Sequence, residues 1–364
     1  LKNKLVQTIN FINSNFLAES NLLGSAYDAD SEGIEGKFYV WSYFDLEKIL
    51  SQDFKILNKK FNITKNGNFE GNNILVENDN IQLNSEDKKK IKFIESKLLE
   101  IRNKRKKPFF DNKVQTDLNC YWIYTLFHSS FILNDEKLLK LSNNLFLKVK
   151  GRLKNRIFHC YDKNEKEINV FLEDYVYFAQ LLIAVYEINK DLNSLDIAQK
   201  ILKDVWSLFF NQENNVLQKN PKNNNDLFVN PIDLVDNNIP NGNSIYLLAC
   251  NKIFNITNDS FWKRKIEILS KSFHSAINMS YSQMFSYIKV LSICDDNITF
   301  TFFGDYKKLI DIKKYLLKNY YEISTIIYKE NKVENFILIC KNQICSQKLK
   351  SLNEVKDYLN EKSV

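Results

Sequence analysis

The densest group of side chains that could do chemistry lies in residues 23–41, LGSAYDADSEGIEGKFYVW. Four carboxylates, Asp28, Asp30, Glu32 and Glu35, fall within eight residues, and two nearby glycines allow backbone turns that would let them converge. Convergent carboxylates can divide the roles of acid and base when their surroundings separate their pKa values. The segment therefore predicts an acid–base site or, as the simpler alternative, a solvent-exposed acidic turn before the next helix.

A second pair of carboxylates, Glu173 and Asp174, begins the apolar segment FLEDYVYFAQLLIAVYE at 171–187. Neighbouring residues on a helix point about 100° apart, so only one of the two can face a given cavity. Sugar hydrolysis would need one protonated and one ionised carboxyl group about 5 to 9.5 Å apart, with Asp28 or Asp30 opposite this pair. The alternative is that both carboxylates only stabilise a helix N-terminus.

Histidine and cysteine offer little by their spacing. The three histidines, at 128, 159 and 274, are isolated in sequence from carboxylate and cysteine motifs. We interpret them as structural or surface residues, and we expect neither a two-histidine acid–base pair nor a metal site. The six cysteines form no CxxC pair and are expected to be reduced and mostly buried. Cys340 and Cys345 are expected to pack or to have a weak structural role, with redox or metal chemistry as the alternative.

Helical periodicity dominates the chain up to about residue 290 and predicts successive helical hairpins. Asn258 and Asp259 are the expected caps between two of these helices. Short runs at 37–41 and 73–76 have strand character, and after about residue 295 the pattern alternates as in a small α/β segment. We therefore expect a partial α/α toroid at 1–294 and a small α/β domain at 295–364.

The composition identifies no charged partner. Lys and Arg number 51 against 44 Asp and Glu, which is a mild excess with a formal net charge of +7. In the basic stretch 88–107 the apolar residues recur at helical spacing, so the lysines fall on a solvated helix face and nucleic-acid binding is not expected. No apolar run has the roughly 20 residues needed to span a bilayer, and we expect a cytoplasmic protein without membrane contact.

Segment 23–41 resembles the DADSEGxEGKFYVW signature of the thioredoxin-domain-containing protein family that includes bacterial YyaL and spermatogenesis-associated protein 20. Five further segments resemble that family in its own order: NGNFEGNNIL at 66–75, RNKRKKPFFDNKVQTDLNCYWI at 102–123, FLEDYVYFAQLLIAVYE at 171–187, IPNGNS at 239–244 and FILICKNQIC at 336–345. The sequence departs from the family pattern in two loops. Leu118 and Cys120 replace a tryptophan and a glycine, and residues 236–238 replace Asp-Gly-Ala.

The resemblance implies a mainly α fold, an incomplete (α/α) toroid of the six-hairpin glycosidase-like type with a small C-terminal α/β appendage. Active sites of such toroids lie among the loops at one mouth, which implies a catalytic role for Asp28, Asp30, Glu173 and Asp174. The implied substrate-binding residues are Glu35, Lys37, Trp41, Asn119, Asn243 and Ser244. The resemblance implies no cofactor.

Two functions stay open, and fold kinship alone does not decide whether the chain is an enzyme. One is a carbohydrate-active or sugar-binding cavity, intact or degenerate, that takes a sugar-like small molecule. The other is a non-catalytic interaction module that scaffolds a thioredoxin-like redox partner. The family's thioredoxin-like domain and first toroid helices do not occur in these 364 residues. We therefore expect a fragment that self-associates, closes the gap by rearrangement, or needs that upstream segment as a partner.

Overall fold

The computed structural model describes residues 1–18, 21–161, 168–223, 228–342 and 344–361. Its contacts divide the chain into two compact units. The smaller unit is Gly24–Asn112, and the larger unit combines Leu1–Leu23 with Lys113–Val364. The boundary expected at residue 294 lies inside the larger unit and stays a prediction of domain organisation.

The described residues form helices joined by loops and short strands. The helices are α1 (Lys2–Asn15), α2 (Tyr43–Leu50), α3 (Phe54–Lys60), α4 (Ser85–Asn103), α5 (Thr116–Leu133), α6 (Glu136–Arg152), α7 (Leu172–Asn189), α8 (Leu192–Phe209), α9 (Gly242–Thr257), α10 (Ser260–Ser280), α11 (Phe285–Asp296), α12 (Ile310–Tyr320) and α13 (Leu352–Glu361). The strands are β1 (Ala26–Tyr27), β2 (Asp30–Ser31), β3 (Ile34–Glu35), β4 (Phe110–Asp111), β5 (Phe210–Asn211), β6 (Val216–Leu217), β7 (Ile298–Phe303), β8 (Ser324–Lys329), β9 (Phe336–Lys341) and β10 (Ile344–Cys345).

The smaller unit packs α2, α3 and α4 around a core of its own that includes Trp41, Leu46 and Ile94. Strands β1 and β4 pair antiparallel, and β2 and β3 form a hairpin that carries the acidic segment. The prediction that residues 37–41 and 73–76 form strands is wrong. The two segments meet in one isolated bridge between Trp41 and Asn73. A turn over residues 36–39, which begins at Gly36 with positive φ, takes up most of the first run.

The larger unit is built from helical hairpins in two layers. Helices α5, α7 and α9 contact one another in a row, and each contacts the helix that follows it, α6, α8 and α10. Because α7 has neighbours on all sides, nearly all of its residues are buried, whereas α8 buries one stripe. This double layer is the arrangement of an incomplete (α/α) toroid, so the expected mainly α fold is confirmed.

Side-chain caps set where these helices begin. The Asn241 side chain accepts a hydrogen bond from the Ser244 N–H at the start of α9. Asn258, in the left-handed conformation, ends α9, and Asp259 caps α10, as expected from the sequence. None of the described helices is long and apolar enough to cross a membrane.

A four-stranded sheet follows the helices, with strand order β10-β9-β7-β8. Strand β7 pairs parallel with β8 through the crossover helix α12 and antiparallel with β9. Phe300 and Phe302 of β7 belong to the same hydrophobic core as the helices, α12 contacts α5, and β8 contacts α9. The expected C-terminal α/β appendage is therefore confirmed, and it packs directly on the helical layers.

Cys340 and Cys345 form a disulfide, so the expectation of reduced thiols is wrong for this pair. The two residues are register partners across the β9–β10 hairpin, which places their side chains on the same face of the sheet. Sequence spacing alone did not indicate this register. Gln343, in the turn between them, lies outside the described residues.

A buried ion pair joins the helical layer to the sheet. Lys252 of α9 lies 2.8 Å from a carboxylate oxygen of Glu187 in α7, and the two residues are 5% and 1% exposed. Lys252 also donates to the Ser324 carbonyl at 2.9 Å, and Glu187 accepts the Ile326 N–H at 3.0 Å. This single ion pair therefore joins α7, α9 and β8.

We expect Lys252→Met to destabilise the protein by about 3 to 5 kcal/mol, because it leaves the buried Glu187 carboxylate without its cation. Lys289→Met is the matched control, since Lys289 is half exposed and its pair with Glu322 is worth less than about 1 kcal/mol. Urea unfolding followed by circular dichroism measures both. A Lys252→Met loss no larger than that of the control would contradict the role given to this pair.

Candidate active site

The first turns of α5, α7 and α9 meet at one end of the larger unit. The backbone N–H of Asp117, in α5, donates to Asp174 Oδ1, in α7, at 3.2 Å. Glu173 Oε1 lies so close to the start of α9 that a Cβ on Gly242 would be 2.8 Å from it. The carboxylates of the FLEDY segment therefore lie beside residues from two other helices.

Two loops are tied to these first turns by hydrogen bonds. Thr116 Oγ1 donates to the Phe158 carbonyl at 2.6 Å, and the Thr116 N–H donates to the His159 carbonyl at 2.9 Å. On the other side, the Leu172 N–H donates to the Lys219 carbonyl at 2.9 Å. The helix N-termini use their unpaired N–H groups to position His159 and Lys219.

His159 forms an ion pair with the fully buried carboxylate of Asp174. Its Nδ1 lies 3.0 Å from Asp174 Oδ1 and 3.2 Å from Oδ2, and 4.0 Å from an oxygen of Asp117. The Phe171 N–H donates to Asp174 Oδ2 at 2.8 Å. The expectation that His159 is isolated from carboxylates is therefore wrong, because the loop before α7 folds back onto α5.

The two carboxylates shift the protonation of this cluster. Burial by itself lowers the pKa of His159, but the hydrogen bond to Asp174 and the charges of Asp174 and Asp117 outweigh it, so the pKa is raised. Burial and the neighbouring charge of Asp174 raise the pKa of Asp117 to about 6, although His159 opposes this. The cluster therefore favours a protonated imidazole.

Glu173 points away from that cluster, toward α9 and the loop that carries Lys219. Its Oε2 atom is buried and accepts no hydrogen bond from the described residues. Burial raises the pKa of Glu173 to about 6, while the charge of Lys219 lowers it and those of Asp233 and Asp117 raise it. Glu173 is thus a carboxyl group with a free oxygen and a pKa near neutrality.

Asp117, His159 and Asp174 are also the group in the described part of the chain whose ligand atoms could hold a metal ion, since these atoms lie within 4.8 Å of one another. Both Asp174 oxygens, however, already accept hydrogen bonds from His159 and from backbone N–H groups. An ion pair accounts for this geometry. The expectation of no metal site stays a prediction.

Two other expected residues of the larger unit, Asn119 and Asn243, use their side chains to bind backbone groups. Asn119 accepts the Leu23 N–H and donates to the Leu23 and Gln115 carbonyls. Asn243 is fully buried and holds Leu217 through two hydrogen bonds of 2.9 Å. Ser244 is fully buried as well. The Ser244 Oγ accepts and donates no hydrogen bond within the described residues, whereas Asn119 and Asn243 position loops. A direct role of these three residues in substrate binding stays a prediction.

The remaining expected residues lie in the smaller unit. Asp28 and Asp30 are exposed, and Asp28 Oδ1 accepts the Asp30 N–H at 3.2 Å as in an acidic turn. Glu35 and Lys37 line a cleft of about 540 Å³, while Trp41 is 4% exposed beneath the Arg105 guanidinium, 4.0 Å from its ring centre. Convergence of Asp28 or Asp30 with Glu173 stays a prediction, because the residues belong to separate units.

Sequence reasoning missed His159, Asp117 and Lys219. The sequence could have indicated Asp117, since this residue lies in the family-like segment 102–123. His159 and Lys219 lie in loops with no periodicity, and only tertiary contacts bring them to α7.

Comparison with known proteins finds similarity in structure alone: no family model matches the chain, and no curated protein matches it in sequence. A cellobiose 2-epimerase from Bacillus thermoamylovorans is 15% identical over 43% of this chain and 43% of its own, with a TM-score of 0.36. A glycoside hydrolase family 76 mannosidase from Bacteroides thetaiotaomicron is 12% identical over 75% of this chain and 71% of its own, with a TM-score of 0.37. An inactive variant of an α-1,6-mannanase from Salegentibacter, in complex with α-1,6-mannotriose, has a TM-score of 0.34 at 12% identity, over 75% of this chain and 70% of its own.

We expect Gly242→Ala to displace the Glu173 carboxyl group and to destabilise the fold by about 1 to 3 kcal/mol, because the new methyl group would overlap Glu173 Oε1 and Leu172. Gly151→Ala is the matched control. Nothing lies within 4 Å of its added methyl group, so stability should stay equal or rise by up to about 1 kcal/mol. Thermal unfolding compares the two, and equal stability of both variants would show that Gly242 does not position Glu173.

Proposed function

We propose that the larger unit binds a sugar-like small molecule beside the first turns of α5, α7 and α9, and that Glu173 carries the proton transfer. The observation that carries this proposal is the free, buried Oε2 of Glu173. A carboxyl group with a pKa near the working pH can both give and take a proton, which is what general acid–base catalysis requires.

The surroundings of Glu173 fit a ligand with several hydroxyl groups. Lys219 and Asp233 form an ion pair of 3.0 Å in which Lys219 is 40% exposed. Such a pair offers donors and an acceptor to hydroxyl groups. The half-buried ring of Tyr121, in the second turn of α5, packs on the fully buried ring of Tyr177 with centres 5.1 Å apart, so Tyr121 adds apolar surface.

The resemblance to the thioredoxin-domain-containing family supports the same site. Three of its six segments, 102–123, 171–187 and 239–244, contribute Asp117, Glu173 and Gly242. Segments far apart in sequence thus supply neighbouring residues, as expected of a functional site rather than of ordinary helix packing. We therefore assign the chain to this family as part of the proposal, with a cytoplasmic location.

We expect Glu173→Gln to keep sugar binding and to lower turnover by about 100-fold or more, because the amide keeps the shape of the side chain but cannot transfer a proton. Binding is measured by saturation-transfer NMR with glucose, mannose, N-acetylglucosamine and their methyl glycosides, and turnover by NMR of the same samples. Glu136→Gln is the matched control, since Glu136 is exposed and pairs only with Lys314 in the described residues. No binding by any of these sugars, or unchanged turnover in Glu173→Gln, would refute the proposal.

The alternative is an interaction module for a thioredoxin-like partner. It is favoured by an apolar groove of about 610 Å³ lined by Leu17, Leu141, Leu145 and Leu147, of which Leu147 is 63% exposed. Leu147→Glu should abolish binding of a separately produced thioredoxin-like segment in light scattering if this function holds. Absence of binding between the wild-type chain and this segment would refute the alternative.

A further inference from the structure

We propose that the smaller unit holds a binding site of its own, for a small zwitterion with an apolar side chain, as in a free amino acid or a dipeptide. The site is the cleft of about 540 Å³. All residues that line it lie between Ser31 and Lys106, within the smaller unit. This inference goes beyond the proposed function and does not rest on it, because the proposed sugar site lies in the larger unit.

The Arg105 guanidinium at this cleft is held in one position. Its Nη1 donates to the carbonyls of Lys37, Phe38 and Val40 at 3.4, 3.0 and 2.7 Å. Its Cζ lies over the Trp41 ring, 4.0 Å from the ring centre. Three carbonyl groups and one aromatic ring thus fix the guanidinium before a ligand binds, which lowers the entropic cost of binding.

The same hydrogen bonds leave the other edge of the guanidinium for a ligand. Nε and Nη2 of Arg105 donate no hydrogen bond to the described residues, and neither atom is sealed off from solvent. The N–H groups of these two nitrogens form a planar fork that matches the two oxygens of a carboxylate. Lys106, exposed at the same cleft, forms no ion pair with the described residues and adds a second positive charge. The cleft therefore offers a bidentate site to a carboxylate group.

Negative charges of the cleft also lack partners. Three carboxylates that line it form no ion pair with the described residues: Glu35, Asp45 and Glu70. Burial lowers the pKa of Arg105 and the charge of Asp45 opposes this, so Asp45 lies near the fork without pairing with it. Unpaired charges of both signs in one cleft are complementary to a ligand that carries both signs. An ammonium group beside the ligand carboxylate would be attracted to Asp45.

Apolar side chains line the cleft together with these charges. Phe69 is half-buried and packs on the turn at Gly36, where an added Cβ would lie 3.3 Å from the Phe69 Cε1. Gly36 has a φ of 68°, so a side chain at this position would be strained as well as crowded. Ile34, in β3, is 51% exposed. This apolar surface suits a ligand whose charged groups sit beside an apolar side chain.

A neutral sugar fits this cleft less well than a zwitterion. Trp41, which the family resemblance implied as a sugar-binding residue, is 4% exposed and lies beneath Arg105, so its ring offers no stacking surface. Lys37, implied in the same role, already pairs with Glu32 at 2.8 Å. A sugar would also leave the guanidinium fork and the nearby carboxylates without opposite charges.

Three probes that share one phenyl ring separate the two charges. Phenylalanine carries both, 3-phenylpropionate lacks the ammonium group, and phenethylamine lacks the carboxylate. We expect phenylalanine to bind the full chain about 10-fold or more tightly than either analogue, because each analogue loses its hydrogen bonds to one set of charged groups. Isothermal titration calorimetry measures all three. Alanylphenylalanine, whose charges lie one residue further apart, binds more tightly than phenylalanine if the natural ligand is a dipeptide and less tightly if it is an amino acid.

Asp45→Asn is the variant that tests the site without disturbing the fold, because Asp45 is exposed and its side chain makes no hydrogen bond in the described residues. We expect it to weaken phenylalanine and phenethylamine by about 10-fold and to leave 3-phenylpropionate unchanged. Glu47→Gln is the matched control, since Glu47 is exposed on the same helix, α2, and does not line the cleft. Arg105→Lys keeps the charge but removes the fork, and should weaken phenylalanine and 3-phenylpropionate instead.

Absence of binding by both phenylalanine and alanylphenylalanine would overturn this inference. Equal affinity for phenylalanine and its two analogues would also overturn it, as would an Asp45→Asn variant that binds phenylalanine as well as Glu47→Gln does. Absence of sugar binding would overturn the proposed function and leave this inference in place, because the two sites lie in different units.

Discussion

The larger unit depends on how the buried charge of Asp174 is stabilised. An ionised carboxylate removed from water is costly unless it is paired and hydrogen-bonded. Here the partners come from three places in the sequence: His159 in a loop, Phe171 before α7, and Asp117 in α5. Satisfying this one carboxylate therefore requires α5 and α7 to start side by side with the loop of His159 against them.

That requirement shapes the chemistry of the neighbouring residue. Because Asp174 turns inward to its partners, Glu173, one position earlier, turns toward Gly242 at the start of α9. The glycine leaves room for a carboxyl group whose Oε2 accepts no hydrogen bond from the described residues. The opposite ends of α7 and α9 are held by the Glu187 and Lys252 pair, so both helices are fixed at each end.

The sequence predicted the helices well and the site only in part. Periodicity identified α7 to α10 and the strands after residue 295, because regularly spaced apolar residues form a local pattern. It placed Glu173 and Asp174 at a helix start and foresaw that they would point apart. His159, the Cys340–Cys345 disulfide and the loop of Lys219 depend on contacts between distant segments or on strand register, which no local pattern records.

The central claim is that the protein holds the Glu173 carboxyl group at a pKa suited to proton transfer near neutrality. The most direct measurement is a 13C NMR titration of a sample labelled at glutamate side-chain carboxyl carbons, with the Glu173 resonance assigned by its loss in Glu173→Gln. The account predicts a midpoint near pH 6 for this carboxyl group. A midpoint at the ordinary glutamate value of 4.5 would contradict it, because the group would then be a solvated carboxylate like any other on the surface.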